Sequence, residues 1–545
     1  FTLALAGIWW VLHTISPLSV GLSSLALAGL FLSKMSAPLI IPVGLVLLLL
    51  RLIDGKPLSV RIKERSWAVR HRAVRFGLWC GVITCQVLIT WGAIWAAYGF
   101  RYQAMKDFDP GRDRFFSPNA IPADKTVWEH QLRKLDYLKP TIYWLRDHKL
   151  LPEAYVYSAA MSAQTARGRA SFLNGQVCIF GFRSFFPYSF LVKTPLPLFG
   201  IMVLAAAVPL FRRRFAGPAA EGVSANGADG LGRSIARGLL STAPLWVFLT
   251  FYWVASIRSP LNIGHRHILP TYPLLFILCG SAAEAMRWRG RVFRWVVPGL
   301  AGLFVLASVS IWPHYLAFFN WLVGGPRHAY KHLVDSSLDW GQDLPGLRHW
   351  LDENVTGRGD SSPVYVAYFG NGSFKLEGIQ ARSIMRKPRK DWTGNYILTS
   401  GVYCISATEL QQVYLTQAPR EPRPIAWAPE QEQKYQQVVR YARSIAAAPN
   451  TREARRAALD EAYRAWMAEY RAAGRPSGEF QKRLAEFKQN LGQWPKLQFA
   501  RLCAYLRDRK PDDFVGYSIL IYRLTDSQVE EALLRPVTMR DYPTD

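Results

Sequence analysis

The sequence predicts a polytopic α-helical membrane protein that carries a C-terminal extracytoplasmic α/β domain. Three observations predict it. Half of the 545 residues are hydrophobic and gather in long blocks. Basic residues cluster beside those blocks, and short strand-like runs fill the tail.

Blocks such as PVGLVLLLLRL and LLSTAPLWVFLTFYWVASI approach the roughly 20 apolar residues that cross a hydrocarbon core of about 30 Å. Spanning segments are expected at 1–12 (incomplete), 15–32, 36–53, 77–98, 188–211, 239–257, 268–286 and 296–313. The opening FTLALAGIWWVL has no Met, charged n-region or cleavage site, so the first segment is expected to continue upstream of Phe1.

Charge sets the orientation. Residues 51–75 carry eight Lys/Arg against Asp54 and Glu64, 212–237 carry Arg212–Arg214 with Arg233 and Arg237, and RWRGRVFR at 287–294 has no acid. Such segments face the cytoplasm. Residues 99–187, the hinge 258–267 and everything after Trp312 then fall on the other side, consistent with a transmembrane part at 1–313 and an extracytoplasmic domain at 314–545.

The cytoplasmic stretch AGPAAEGVSANGADGLG reads as a linker. The outer loop 99–187 is expected to hold short helices lying on the membrane, as in VWEHQLRKLDYLKPTIYWLRDHKL, and Asp107, Asp109 and Asp113 read as a turn. In the tail PVYVAYFG, GNYILTS, VYCIS and GYSILIYRL read as strands, and TELQQVYL and KLQFARLCAYLRDR as helices. Residues 430–490, charged and Ala-rich, read as a helical insertion.

A formal charge of +27 placed beside apolar blocks points to anionic lipid as partner and away from nucleic acid. The six cysteines show no paired metal spacing, and only Cys404 and Cys503 invite pairing.

Four stretches carry a family resemblance. They are GLSSLALAGLFLSKMSAPLIIP; LLPEAYVYSAA running through RASFLNG to FFPYSFLVKTPLP; NIGHRHILPTYPLLF; and FFNWLVGGPRHAYKHLVDSSLDWGQDLPGL with GVYCISATELQQVY. In order and spacing the chain resembles the C-type membrane glycosyltransferases (GT-C) of the bacterial mannosyltransferase-like group, related to protein O-mannosyltransferases and to the aminoarabinose transferase acting on lipid A. The resemblance implies transfer of a sugar from a polyprenyl-phosphate donor to a protein, lipid or glycan acceptor hydroxyl outside a bacterial inner membrane, with inversion. It implies no cofactor beyond that donor. It also places the family's catalytic carboxylate in a loop expected upstream of Phe1, so no residue here inherits that role.

A phosphate leaving group gathers negative charge as the glycosidic bond breaks, and fixed cations at outer helix ends stabilise that state. Lys34 in LSKMS and Lys193 in LVKTPLP occupy such ends; the prolines beside Lys193 predict a broken helix lining a cavity. The bland alternative is snorkelling to headgroups. The hinge concentrates Arg258, His265, Arg266 and His267, where Arg grips phosphate oxygens and a histidine donates to the departing oxygen. The alternative there is a solvated basic turn. In an extended turn the two histidines point apart, leaving one for the site. A zinc reading of HRH lacks a third ligand, so no metal is expected, and nothing supports another divalent ion.

Asp335, Asp339 and Asp343 form an acid-rich stretch before Leu344 and Pro345. That order reads as a helix start with Asp343 as cap, and the three are expected to fix the junction with the outer domain, contact with acceptor as a general base being the lesser alternative. Two other readings compete: a secondary transporter, though no internal duplication is evident, and a non-catalytic scaffold.

Overall fold

The apolar blocks fold as helices, and the computed structural model describes residues 1–102, 137–215, 238–287, 291–384, 398–414, 419–445 and 494–534. The linker at 216–232, Asp107, Asp109, Asp113 and 446–490 of the helical insertion lie outside the described residues.

Helix α1 (Thr2–His13) passes through strand β1 (Thr14–Ile15) into α2 (Pro17–Ser33). Ser16 and Ser19 start α2 reciprocally: Ser16 Oγ accepts from the Ser19 amide at 3.1 Å and Ser19 Oγ from the Ser16 amide at 2.9 Å. Helix α3 (Ile40–Asp54) ends at Gly55, whose φ of 71° suits a residue without Cβ. The basic segment that follows holds an unexpected hairpin, β2 (Leu58–Ile62) and β3 (Arg65–Val69), with β1 pairing parallel to β2. Helix α4 (Arg72–Ala97) returns, and Gln86 donates to Ser23 Oγ at 2.8 Å to tie it to α2.

Within residues 99–187 lie α5 (Lys139–Asp147) and α6 (Glu153–Thr165), as the expected short helices, then β4 (Ser171–Leu173) and β5 (Gln176–Cys178) around the Asn174-Gly175 turn, where both residues have positive φ. The segment expected as one span at 188–211 is two helices, α7 (Phe185–Lys193) and α8 (Leu196–Phe215), bent by 104° at the prolines. Helix α9 (Ala243–Arg258) precedes the hinge. The hinge is not extended: His265–Thr271 is a 3₁₀ turn leading into α10 (Tyr272–Cys279), and α11 (Arg291–Val309) follows.

Three of these elements are long and apolar enough to cross a membrane, Ala37–Asp54, Arg72–Ala97 and His265–Met286, and the bent α7–α8 pair makes a fourth if it is counted as one span. Leu25, Leu45, Val87 and Leu306 stand more than half exposed on helix faces, as lipid-facing side chains do. The chain is a membrane α-helical protein.

After residue 314 a five-stranded sheet forms in the order β10 (Asp513–Val515), β11 (Ile519–Leu524), β8 (Gly401–Ser406), β6 (Val364–Ala367), β7 (Arg382–Ser383). β10, β11 and β8 pair antiparallel; β6 runs parallel to β8 and β7. Side chains alternate as the pleat requires. Val366, Val402, Cys404 and Ile521 pack on Leu344, Leu347 and Leu351 of α12 (Leu344–Asn354), while Tyr365, Tyr403, Ile405 and Tyr522 join Phe499, Leu502 and Leu506 of α14 (Trp494–Arg507). Helix α13 (Pro429–Ile445) falls where the insertion was expected, and β9 (Arg423–Pro424) completes a sheet with β4 and β5.

Two local expectations need correction. Leu398–Ser400, within the expected GNYILTS strand, is irregular, and TELQQVYL gives only a short helix, Ala407–Leu410, before Gln412 turns to φ 51°. The short strands β7 and β10 were not expected. Cys404 and Cys503 are both buried and unpaired.

Candidate functional site

The hinge meets the acid-rich junction because two backbones approach closely. Gly264 lies against Ser336, where a Cβ would collide with the Ser336 hydroxyl. Ser336 Oγ donates to the Ile263 carbonyl at 2.8 Å, and the His265 amide donates to Ser337 Oγ at 3.1 Å. The stitch brings Arg266 within electrostatic reach of Asp335.

Around His267 stand Arg266, Lys34 and Arg169, each close enough to act on it electrostatically. Lys34, at the C-terminal end of α2, donates to the Tyr252 hydroxyl at 3.3 Å, and Tyr252 donates to the His267 carbonyl at 2.7 Å. Burial, and then Arg266, lower the Lys34 pKa. The exposed Arg266 guanidinium stacks on Trp340 at 4.2 Å from the ring centroid. His267 Nε2 is buried with no hydrogen-bond partner among the described residues.

The opposite wall centres on Asp335, held at φ 52°, a strained backbone for a side chain with Cβ. Its Oδ2 accepts from Tyr414 and lies 3.7 Å from Arg169 Nη2, while Arg169 Nε donates to the Tyr414 hydroxyl at 3.1 Å. Burial raises the Asp335 pKa against the pull of Tyr414, Arg169 and Arg266, and Tyr414 is raised by burial and then by Asp335.

Behind this wall Asp339 is 1% exposed; one carboxyl oxygen accepts from the Gly341 amide at 3.1 Å and the other has no partner among the described residues. Burial is the main cause of a pKa pushed up to about 8, with Asp343, Glu409 and Asp335 adding repulsion. Burial likewise lifts Glu409 to about 7. At neutral pH Asp339 is mainly protonated and Glu409 is divided between its protonated and charged forms.

The remaining anticipated residues part from the cluster. Lys193 is fully committed inward: its ammonium donates to the Leu316 carbonyl at 2.8 Å and to the Ser337 carbonyl, and lies 4.3 Å over the Phe319 ring. The bend itself lines a cavity, through Pro195, Leu196 and Pro197, but Lys193 points away from it. His265 is buried between Ser189 Oγ and the Tyr272 hydroxyl, each at 2.8 Å. Arg258, at the end of α9, is exposed and contacts no other member of the set among the described residues. Asp343 occupies the helix-start position with Pro345 behind it, yet its side chain does not cap α12. It accepts from Ser518 Oγ and Gln342 Nε2, both at 2.7 Å, and faces His314 Nδ1 at 3.7 Å.

Sequence reasoning missed Arg169, Tyr252, Tyr414 and Glu409. Arg169 opens RASFLNG and Glu409 lies in the ATELQQVY run, but nothing local to either segment gives its partners, which stand far along the chain.

Beneath Lys34 lies an apolar cavity of about 570 Å³ between α1, α2, α3, α4, α5 and α6. Phe31 and Met35, on either side of Lys34 in sequence, line its outer end, and Ile8, Leu45, Trp79 and Val87 its depth. Among the described residues no group of three or more His, Cys, Asp or Glu could hold a metal ion. Comparison with family models, curated proteins and solved structures finds no match.

Proposed function

We propose that the chain is a C-type membrane glycosyltransferase that moves a sugar from a polyprenyl phosphate to an acceptor hydroxyl on the extracytoplasmic face of a bacterial inner membrane. In this reading residues 1–313 form a domain of about eight spanning segments, and 314–545 an extracytoplasmic α/β domain. The observation that carries it is the set of cations Lys34, Arg169 and Arg266 around His267, beside an apolar cavity whose outer lining flanks Lys34. A carrier of this kind has the same two parts, a long hydrocarbon and a phosphate at the interface.

The chemistry follows from charge. As the anomeric C–O bond to phosphate breaks, the phosphate gains negative charge, and preorganised guanidinium groups hold it better than the ground state. Asp335 lies within electrostatic reach of Arg169 and Arg266 and would take the proton of an acceptor hydroxyl in this reading; Tyr414 and Arg169 orient it and favour its charged form.

Transfer from a radiolabelled polyprenyl-phosphate sugar tests the reading. Arg266→Ala and Arg169→Ala are each expected to lower turnover by about 10²–10³-fold, with thermal unfolding of Arg266→Ala unchanged because that side chain is exposed. Unchanged turnover in both variants removes the cation cluster from the reaction.

A further inference from the structure

We propose that a second cavity, on the far side of the α7–α8 bend, is a binding site for an anionic glycerophospholipid, separate from the donor's cavity. This groove of about 910 Å³ runs between the bend, α11 and the turns at 318–328, a size at the upper end of ligand pockets. Leu303, Leu306 and Ala307 of α11 give it a hydrocarbon lining, with Phe319, and Arg327 and His328 line it too. No Asp or Glu lines it.

Its level in the membrane is marked by side chains. Trp312, Tyr315 and Trp321, just beyond α11, are 70%, 56% and 89% exposed. Aromatic residues displayed in this way settle at the headgroup boundary. A phospholipid lying along α11 would therefore keep its chains below that belt and its phosphate at it, where the exposed Arg327 and His328 are. Arg327 and the apolar wall thus match the two halves of one anionic amphiphile. The groove also backs onto the bend that holds Lys193, since Phe319 serves both. An occupied groove would brace that bend.

Native mass spectrometry of the detergent-purified chain with added phosphatidylglycerol or phosphatidylcholine tests this. One phosphatidylglycerol per chain is expected to be retained over phosphatidylcholine, and Arg327→Gln to lower that retention about fivefold, the weight of one basic residue near an anionic headgroup. Ala307→Trp, which fills the groove, is expected to abolish it. Equal retention of both lipids, or phosphatidylglycerol retention unchanged in both variants, overturns the proposal. Undecaprenyl phosphate is measured alongside. Its retention is expected to persist in Ala307→Trp and Arg327→Gln, and its loss there would assign the groove to the donor and overturn the proposal. Its loss in Arg266→Ala with phosphatidylglycerol still bound is the outcome expected of two separate sites.

Discussion

Asp339 has one carboxyl oxygen on a backbone amide and one on nothing among the described residues, so its charge is what the fold resists. With the pKa pushed up to about 8 in the folded state from an ordinary carboxyl value of 3.8, the folded state binds the extra proton between those limits. Stability is therefore fully present below about pH 4, falls as pH rises, and has lost this contribution above about pH 8. Glu409 adds a smaller loss that ends near pH 7. Asp339→Asn, which cannot ionise, is expected to flatten the decline in melting temperature between pH 5 and 9; parallel curves for the two proteins would refute a protonated Asp339. The neighbouring residues show what sequence can and cannot convey. Lys34 and Arg266 could be singled out in the sequence because each is a cation beside an apolar block, and the structure brings both near His267. Arg169 was not, because its partner Tyr414 comes from 245 residues along the chain, and no local pattern encodes a contact made by tertiary folding. Lys193 was legible as a buried charge but not as to use: the carbonyls that satisfy it belong to Leu316 and Ser337.

At the scale of elements, apolar blocks and prolines were readable because each acts within its own segment. The Pro195 and Pro197 pair signalled the α7–α8 break; the 104° bend depends on something the sequence hid. Asn320 clamps it, donating from Nδ2 to the Leu191 carbonyl at 2.6 Å and to the Thr194 carbonyl at 3.0 Å, while its own amide donates to Val192. These are carbonyls that a helix end leaves unpaired. Asn320→Ala is expected to destabilise the protein by about 1–3 kcal/mol, the cost of stranding buried acceptors, read as a lower melting temperature in detergent; an unshifted melt would show that the bend holds itself. The β2–β3 hairpin was missed for the opposite reason. Its alternation was present in LSVRI and RSWAV, but the basic residues between apolar blocks drew a reading by charge alone. Asp343 shows a helix-start pattern correct in position and wrong in partner, because Ser518 and Gln342 compete for its oxygens.

For the whole molecule the proposed orientation rests on which ends of the helices meet. β1, between α1 and α2, pairs with β2 at Thr14–Ser59 and Ile15–Val60, so the turn joining those helices lies with the basic segment 51–75. Lys34, at the other end of α2, lies with Tyr252 and the hinge. The hinge in turn is stitched to Ser336 and Ser337, and these lead into the sheet. Two faces are thereby defined by contacts alone, and the proposed orientation, read from the charge asymmetry, takes the arginine-rich face as inward and the sheet as outward. Single cysteines introduced at Lys63, in the β2–β3 turn, and at Lys375, on the sheet side, report this directly, since both positions are exposed. In a background lacking the six native cysteines, a membrane-impermeant maleimide added to intact spheroplasts is expected to label Lys375→Cys and spare Lys63→Cys until the membrane is broken. Labelling in the reverse order would turn the protein over. It would also put the Lys34–Arg266 cluster on the cytoplasmic face, where a sugar carrier presented outside could not reach it.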